Sequence, residues 1–214
     1  MTMVFLIRHG LTDHTGRRLY GRTPGLHLSE RGREQAERLA ERFSGVRLAA
    51  VYSSPLDRCI ETAAPLAAAQ GLRVTRRPAL LEMDAGAWTN RPLSGLARTK
   101  LWQRIQHTPS QAAFPGGESF VAANARLVTE LGQIAGRNPK GRVAVVSHSD
   151  NIRMLLAHVA GAHLDQFQRM IVDTASVSVV IVGAGIPRLF LVNESDSPLA
   201  RFGGAASRRG VYGT

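Results

Sequence analysis

Apolar residues fall along this chain in two alternating patterns. Val4 to Ile7 and the stretch from Arg142 to Val146 are apolar almost without interruption, as expected of strands covered on both faces. Leu48 to Tyr52 and Leu72 to Thr75 read as two shorter strands. Ser176 to Val182 and Arg188 to Val192 flank "GAGIP" as a hairpin. Between these runs the period changes to that of a helix. Ala36, Leu39, Ala40 and Phe43 share one face of a helix predicted over Glu30 to Phe43, with Ser29 as its N-cap. A second helix is predicted from Pro55, at its first position, to Ala69, broken or kinked near Pro65. Others are expected over Ser94 to Ile105, Phe120 to Ile134 and Asn151 to Ala160. The Pro/Gly-rich "TPSQAAFPGGES" interrupts the middle of the chain.

Strands alternating with helices predict an α/β fold, a three-layer α/β/α sandwich on a mostly parallel sheet with an antiparallel edge. Residues 1–195 are expected to form one domain. Beyond Ser195 the apolar periodicity stops, and residues 196–214 are expected to be a flexible tail. With 214 residues and 44% hydrophobic positions, the chain can build a core without covalent staples. The single Cys59 excludes an intrachain disulfide and suits a reducing compartment. No charged-then-apolar leader opens the chain and no apolar run reaches membrane length, so a cytoplasmic protein is expected.

Charge narrows the choice of partners. Lys+Arg 27 against Asp+Glu 16 gives a formal net charge of +11, which favours anionic ligands. Only Lys100 and Lys140 are lysines; the rest are arginines, whose planar fork matches carboxylate and phosphate. Nucleic acid is one anionic partner. However, the arginines are scattered and no nucleic-acid-binding motif is present, so no nucleic-acid or membrane partner is expected.

In parallel sheets, ligands bind at the carboxyl ends of the strands. "VFLIRH" puts Arg8 and His9 at one such end, and "VAVVSH" puts His148 at another. Arg58 follows the strand ending "VYSS", and Glu82 follows the next one. Two histidines, two arginines and a glutamate are therefore predicted to meet in one crevice.

These residues sit in blocks with a wider likeness. "LIRHG" with Thr12 beyond it, "SSPLDRCIETA", "LLEMDAGAW", "FPGGES" and "VVSHSDNIR" occur in order from about Val4 to Asn193. In them the chain resembles the histidine phosphatase superfamily, whose best-known branch contains the cofactor-dependent phosphoglycerate mutases. The resemblance implies that His9 attacks phosphorus to form a phosphohistidine, with Arg8, Arg58 and His148 around the phosphoryl oxygens. Glu82 has no obvious role there except as proton donor to the leaving group, then as base for water. The implied activity is metal-independent, histidine acid-type hydrolysis of a small phosphorylated metabolite, with no cofactor.

Lesser candidates for substrate contact are Thr15, Gly21, Arg22, Thr23 and the Ser149 backbone amide. Trp88 could wall the pocket but is expected to pack in the core, and Cys59 is expected to be a buried filler. One departure stands out. Relatives usually carry glycine after the second histidine, whereas here Ser149 and Asp150 follow His148. A phosphomutase using the same site is the runner-up. Between Glu82 and the Pro/Gly excursion that ends in "GGES" the chain holds Arg91, Arg98 and Arg104, none adjacent to another arginine, too little for the closed cap of a mutase, so hydrolysis is expected to dominate.

Overall fold

In the computed structural model, which describes residues 1–203, the two longest apolar runs lie side by side at the centre of the sheet. β1 (Thr2–Arg8) leads into a long polar loop containing the two-residue strand β2 (Arg18–Leu19), then α1 (Glu30–Arg42), β3 (Ala50–Ser53), α2 (Asp57–Ala69) and β4 (Val74–Arg76). An irregular stretch holds β5 (Arg91–Pro92), α3 (Leu93–Leu96) and α4 (Lys100–His107). α5 (Phe120–Arg137), β6 (Arg142–Ser147), α6 (Ser149–Val159), β7 (Val177–Val182) and β8 (Arg188–Glu194) complete the order.

The main sheet runs β4-β3-β6-β1-β7-β8. β4, β3, β6 and β1 are mutually parallel; β7 and β8 form the antiparallel edge. Alternate residues of β1 feed two cores. Val4 and Leu6 pack with Val143, Val145 and the apolar faces of α5 and α6. Phe5 and Ile7 pack with Ala144, Val146 and the faces of α1 and α2. This is the predicted three-layer sandwich. No helix among the described residues is long and apolar enough to cross a membrane.

Several predicted boundaries move. Leu56, not Pro55, flanks α2, and the helix continues through Pro65 to Ala69 instead of breaking. The helix predicted over Ser94 to Ile105 is two pieces, because the Thr99 side chain caps a fresh start by accepting from the Trp102 amide. Residues 196–203, expected in the tail, belong to the fold: Leu199 and Phe202 are buried, and the Phe202 ring meets Phe5 at 5.7 Å. Residues 204–214, the rest of that expected tail, lie outside the described residues.

Candidate active site

Register puts the two histidines together. Arg8 pairs with Ser147 across the parallel β1–β6 ladder, so the next residue on each strand, His9 and His148, leaves the sheet at the same level. The His9 amide still donates to the Ser147 carbonyl at 3.0 Å, and the two imidazole rings meet edge to face at 5.4 Å. β3 ends alongside, where Ser54 donates its amide to Val146 and its hydroxyl meets His148 Nε2 at 3.0 Å.

Beyond His9 the chain turns sharply. A Cβ on Gly10 would lie 2.7 Å from the Gly32 carbonyl oxygen, so only glycine lets the loop pass the first turn of α1. Ser29 caps that helix as predicted, accepting from the Gly32 amide, and its own amide donates to the Leu11 carbonyl. The Gly10 amide donates to Thr62 Oγ1 at 2.9 Å, while its carbonyl accepts from His9 Nδ1 at 2.8 Å. With the proton on Nδ1, the Nε2 lone pair of His9 is free.

The site is strongly electropositive and partly desolvated. Burial, then the positive charge of Arg58, lowers the His9 pKa to about 3, so the ring is neutral at neutral pH. Burial and Arg58 hold His148 well below the usual histidine range as well. Its Nδ1 accepts from Arg58 Nη2 at 3.3 Å, so its proton sits on Nε2 toward Ser54. Arg58 also donates to the Gly21 carbonyl at 3.0 Å, and Arg8 donates to the Val172 carbonyl at 2.7 Å. Two buried donors, Arg58 Nη1 and Arg8 Nε, have no hydrogen-bond partner among the described residues. Unpaired buried N–H groups are costly, and two of them at one site fit an incoming anion.

Glu82 behaves in the opposite way. Its carboxyl is pushed up to about 7, by burial first and then by the negative charge of Asp150, against the pull of Arg58 and Arg8. Its side chain is 21% exposed, and Oε1 accepts from the Met83 amide at 3.0 Å. The arrangement couples a neutral nucleophilic nitrogen, two guanidinium groups and a carboxylic acid that holds its proton near neutrality.

A pocket of about 120 Å³ is lined by Arg8, His9, Thr12, Thr15, Gly21, Arg58 and Glu82, with Arg18, Leu19, Tyr20 and Leu26 among the other lining residues. His148 is fully buried and meets Arg58, Glu82 and the His9 ring. Thr15 lines the pocket, but its hydroxyl is engaged with the Thr12 amide and hydroxyl. Arg22 and Thr23 do not line it. Arg22 instead holds the Glu82 carbonyl at 2.8 Å, and Thr23 closes a turn onto the Tyr20 carbonyl. Ser149 is outside the lining as well, its hydroxyl buried without a partner among the described residues. Trp88 packs against Trp102 and Phe114, and Cys59 is buried with its thiol pushed up to about 12 by burial. Tyr20, Arg18 and Thr62 carried no recognisable sequence signal; each is named only by the folding of its loop or helix against the site.

The model of the histidine phosphatase superfamily (branch 1) matches residues 4–195. The chain belongs to this superfamily. Among its relatives, phosphoserine phosphatase 1 of Hydrogenobacter thermophilus is 32% identical over 185 residues, covering 84% of this chain and 86% of the relative. A Proteus mirabilis protein named "Probable phosphoglycerate mutase GpmB" is 30% identical over 184 residues, covering 84% and 85%. The solved alpha-ribazole phosphatase of Shigella flexneri superposes with a TM-score of 0.81 at 25% identity, covering 91% of this chain and 98% of that one.

Proposed function

We propose that this chain hydrolyses small phosphomonoesters through a phosphohistidine on His9, working as an acid-type phosphatase that uses no metal or cofactor. One observation carries the reading: the Gly10 carbonyl holds Nδ1 of His9, leaving Nε2 as the free nucleophile beside Arg8 and Arg58. Nε2 attacks phosphorus and the bond to the leaving oxygen breaks. Glu82 gives that oxygen its proton. The resulting carboxylate then takes a proton from water, whose oxygen attacks phosphorus. The P–N bond breaks, releasing inorganic phosphate and restoring neutral His9. Arg58 Nη1 and Arg8 Nε would bind the oxygens on which negative charge is concentrated. The charge of the phosphoryl group would draw His148 toward its protonated form, since only neighbouring cations and burial now oppose it.

Substrate size follows from the cavities. About 120 Å³ over His9 suits a phosphoryl group and a few further atoms. A second cavity of about 530 Å³ shares Arg8 and Thr15 with it but is walled by α1 and the segments around Asp173 and Asp196, without His9, Arg58 or Glu82. Relatives named for phosphoserine and alpha-ribazole phosphatase activity support a small phosphorylated metabolite as substrate.

The mutase-named relative makes phosphoryl return to substrate the second reading. Against it, Arg91, Arg98 and Arg104 are all exposed and none lines the pocket, so nothing from that stretch shields a phosphoenzyme from water. The test supplies 3-phosphoglycerate with a trace of its 2,3-bisphosphate, and separately an aryl phosphate, both with excess chelator. Phosphate release that persists in chelator and outpaces isomerisation supports the hydrolase. Isomerisation ahead of release by an order of magnitude would establish the mutase, and loss of activity in chelator, restored by a divalent ion, would overturn the metal-free reading.

A further inference from the structure

Glu82 sits on a segment that belongs to neither sheet nor helix. It lies between the short 3-10 turns Pro78–Leu80 and Gly86–Trp88, so most carbonyls around it must find partners elsewhere. They find charged ones. Arg126 Nη1 donates to the Ala79 carbonyl at 2.6 Å and the Leu81 carbonyl at 3.0 Å. Arg22 Nε donates to the Glu82 carbonyl itself at 2.8 Å. Asn151 holds the Leu80 and Leu81 carbonyls from the base of α6.

One carboxylate locks the two arginines to each other. Glu118 accepts from Arg126 through both oxygens, at 2.9 and 2.8 Å, and from Arg22 Nη2 at 3.1 Å. Its backbone amide donates to the Asp84 carbonyl at 2.9 Å. Glu118 is only 15% exposed and Arg126 21%. The three charges come from three places: the loop after β2, the Pro/Gly-rich turn before α5, and α5 itself. Each arginine spends its remaining donors on the segment that carries Glu82.

We propose that Arg22, Glu118 and Arg126 form a positioning cluster that fixes where the Glu82 carboxyl meets the leaving group. The proposal rests on the reading of Glu82 as proton donor. A guanidinium has five donors in a rigid plane, so two of them sharing one carboxylate set both the height and the direction of the backbone they hold. Misplacing a reacting group by about 1 Å can cost on the order of 10²-fold in rate. Opposed charges placed only for stability would gain little at partly exposed positions. Partners for the carbonyls at 79, 81 and 82 could come from any donor; here both arginines that supply them are tied to the same carboxylate.

The experiment is a double-mutant cycle read on two substrates, an alkyl phosphate whose leaving group needs a proton and 4-nitrophenyl phosphate whose leaving group does not. Glu118→Ala and Arg22→Ala should each lower kcat on the alkyl phosphate by about 10-fold or more, within the range of general acid catalysis, and change the aryl rate far less. Arg22→Lys should recover part of the loss. In a Glu82→Gln background neither change should lower the alkyl-to-aryl ratio further. If Glu118→Ala does not fold, Arg22→Ala carries the test, since that side chain is 35% exposed. Equal losses on both substrates, or losses that add to that of Glu82→Gln, would overturn the cluster while leaving the phosphatase reading standing. A wild-type enzyme without activity, or a Glu82→Gln variant with no leaving-group dependence, would overturn both.

Discussion

His148 Nδ1 lies 3.7 Å from Glu82 Oε2 while accepting a hydrogen bond from Arg58 Nη2 at 3.3 Å. The base that could take the Glu82 proton is thus already occupied by a fixed cation. The proton stays on Glu82, the group that stands open to the pocket. Burial first, and then the negative charge of Asp150, keep a carboxylic acid protonated near neutral pH within a ring of arginines.

The pH dependence of turnover follows. His9 must be neutral and is so above about 3; Glu82 must be protonated and is so below about 7. Turnover of alkyl phosphates should therefore fall as pH rises through about 7, and aryl phosphates should show a weaker fall. Rates measured from pH 4 to 9 on both substrates check this. A rate on alkyl phosphates that climbs steadily to pH 9 would refute the assignment of Glu82.

Stability should respond to the same groups in opposite senses. The buried histidines have folded pKa values below their ordinary 6.5, so the unfolded chain binds more protons and stability falls as pH drops below about 6.5. Glu82 has a folded pKa above its ordinary 4.5, so its contribution falls as pH rises from about 4.5 to 7. Denaturant titrations of wild type and Glu82→Gln across this range should show the second slope vanish in the variant.

Asp150, which with Ser149 follows His148 where relatives usually carry glycine, is the largest charge-based cause raising Glu82. Asp150→Asn should shift the alkaline limb of the alkyl-phosphate profile to lower pH. An unmoved limb would mean that burial alone sets the proton affinity of Glu82.

Arg58→Lys should lower kcat by about 10²-fold or more, as for loss of one aligned donor at developing negative charge. A lysine cannot hold the Gly21 carbonyl, His148 Nδ1 and a phosphoryl oxygen from one plane. Steady-state kinetics on an aryl phosphate give the value; retention of most activity would argue that Arg58 only supports the fold.

Phe202→Ala should cost about 3–5 kcal/mol, the usual range for removing a buried phenyl ring, because its ring packs on Phe5 at 5.7 Å and Phe190 at 5.5 Å. Chemical denaturation measures this. A change below about 1 kcal/mol would return residues 199–203 to the status of a tail.

The catalytic tips were legible in the sequence because a buried strand is apolar throughout, so Arg8, His9 and His148 stand out where such runs stop. Pairing and register then followed from the fold. Phe202 escaped because a single aromatic in a polar stretch has no periodicity to declare its burial. The β2–β5 ribbon is two residues per strand, too short for any alternation. Arg22 is expected at the substrate from the family resemblance alone; its actual partners lie 60 and 96 positions away, and no local pattern announces a contact of that range. The neutrality of His148 was hidden for the same reason, since it depends first on burial and then on Arg58 lying against Nδ1.

The central claim is that His9 Nε2 carries the phosphoryl group between the two half-reactions. Rapid quenching with labelled substrate, followed by peptide mass spectrometry, tests it most directly. A phosphoramidate on His9, labile to acid and stable to alkali and absent from His9→Ala, is expected. Label found on another residue, or an alkali-labile phosphoester that persists in His9→Ala, would contradict it.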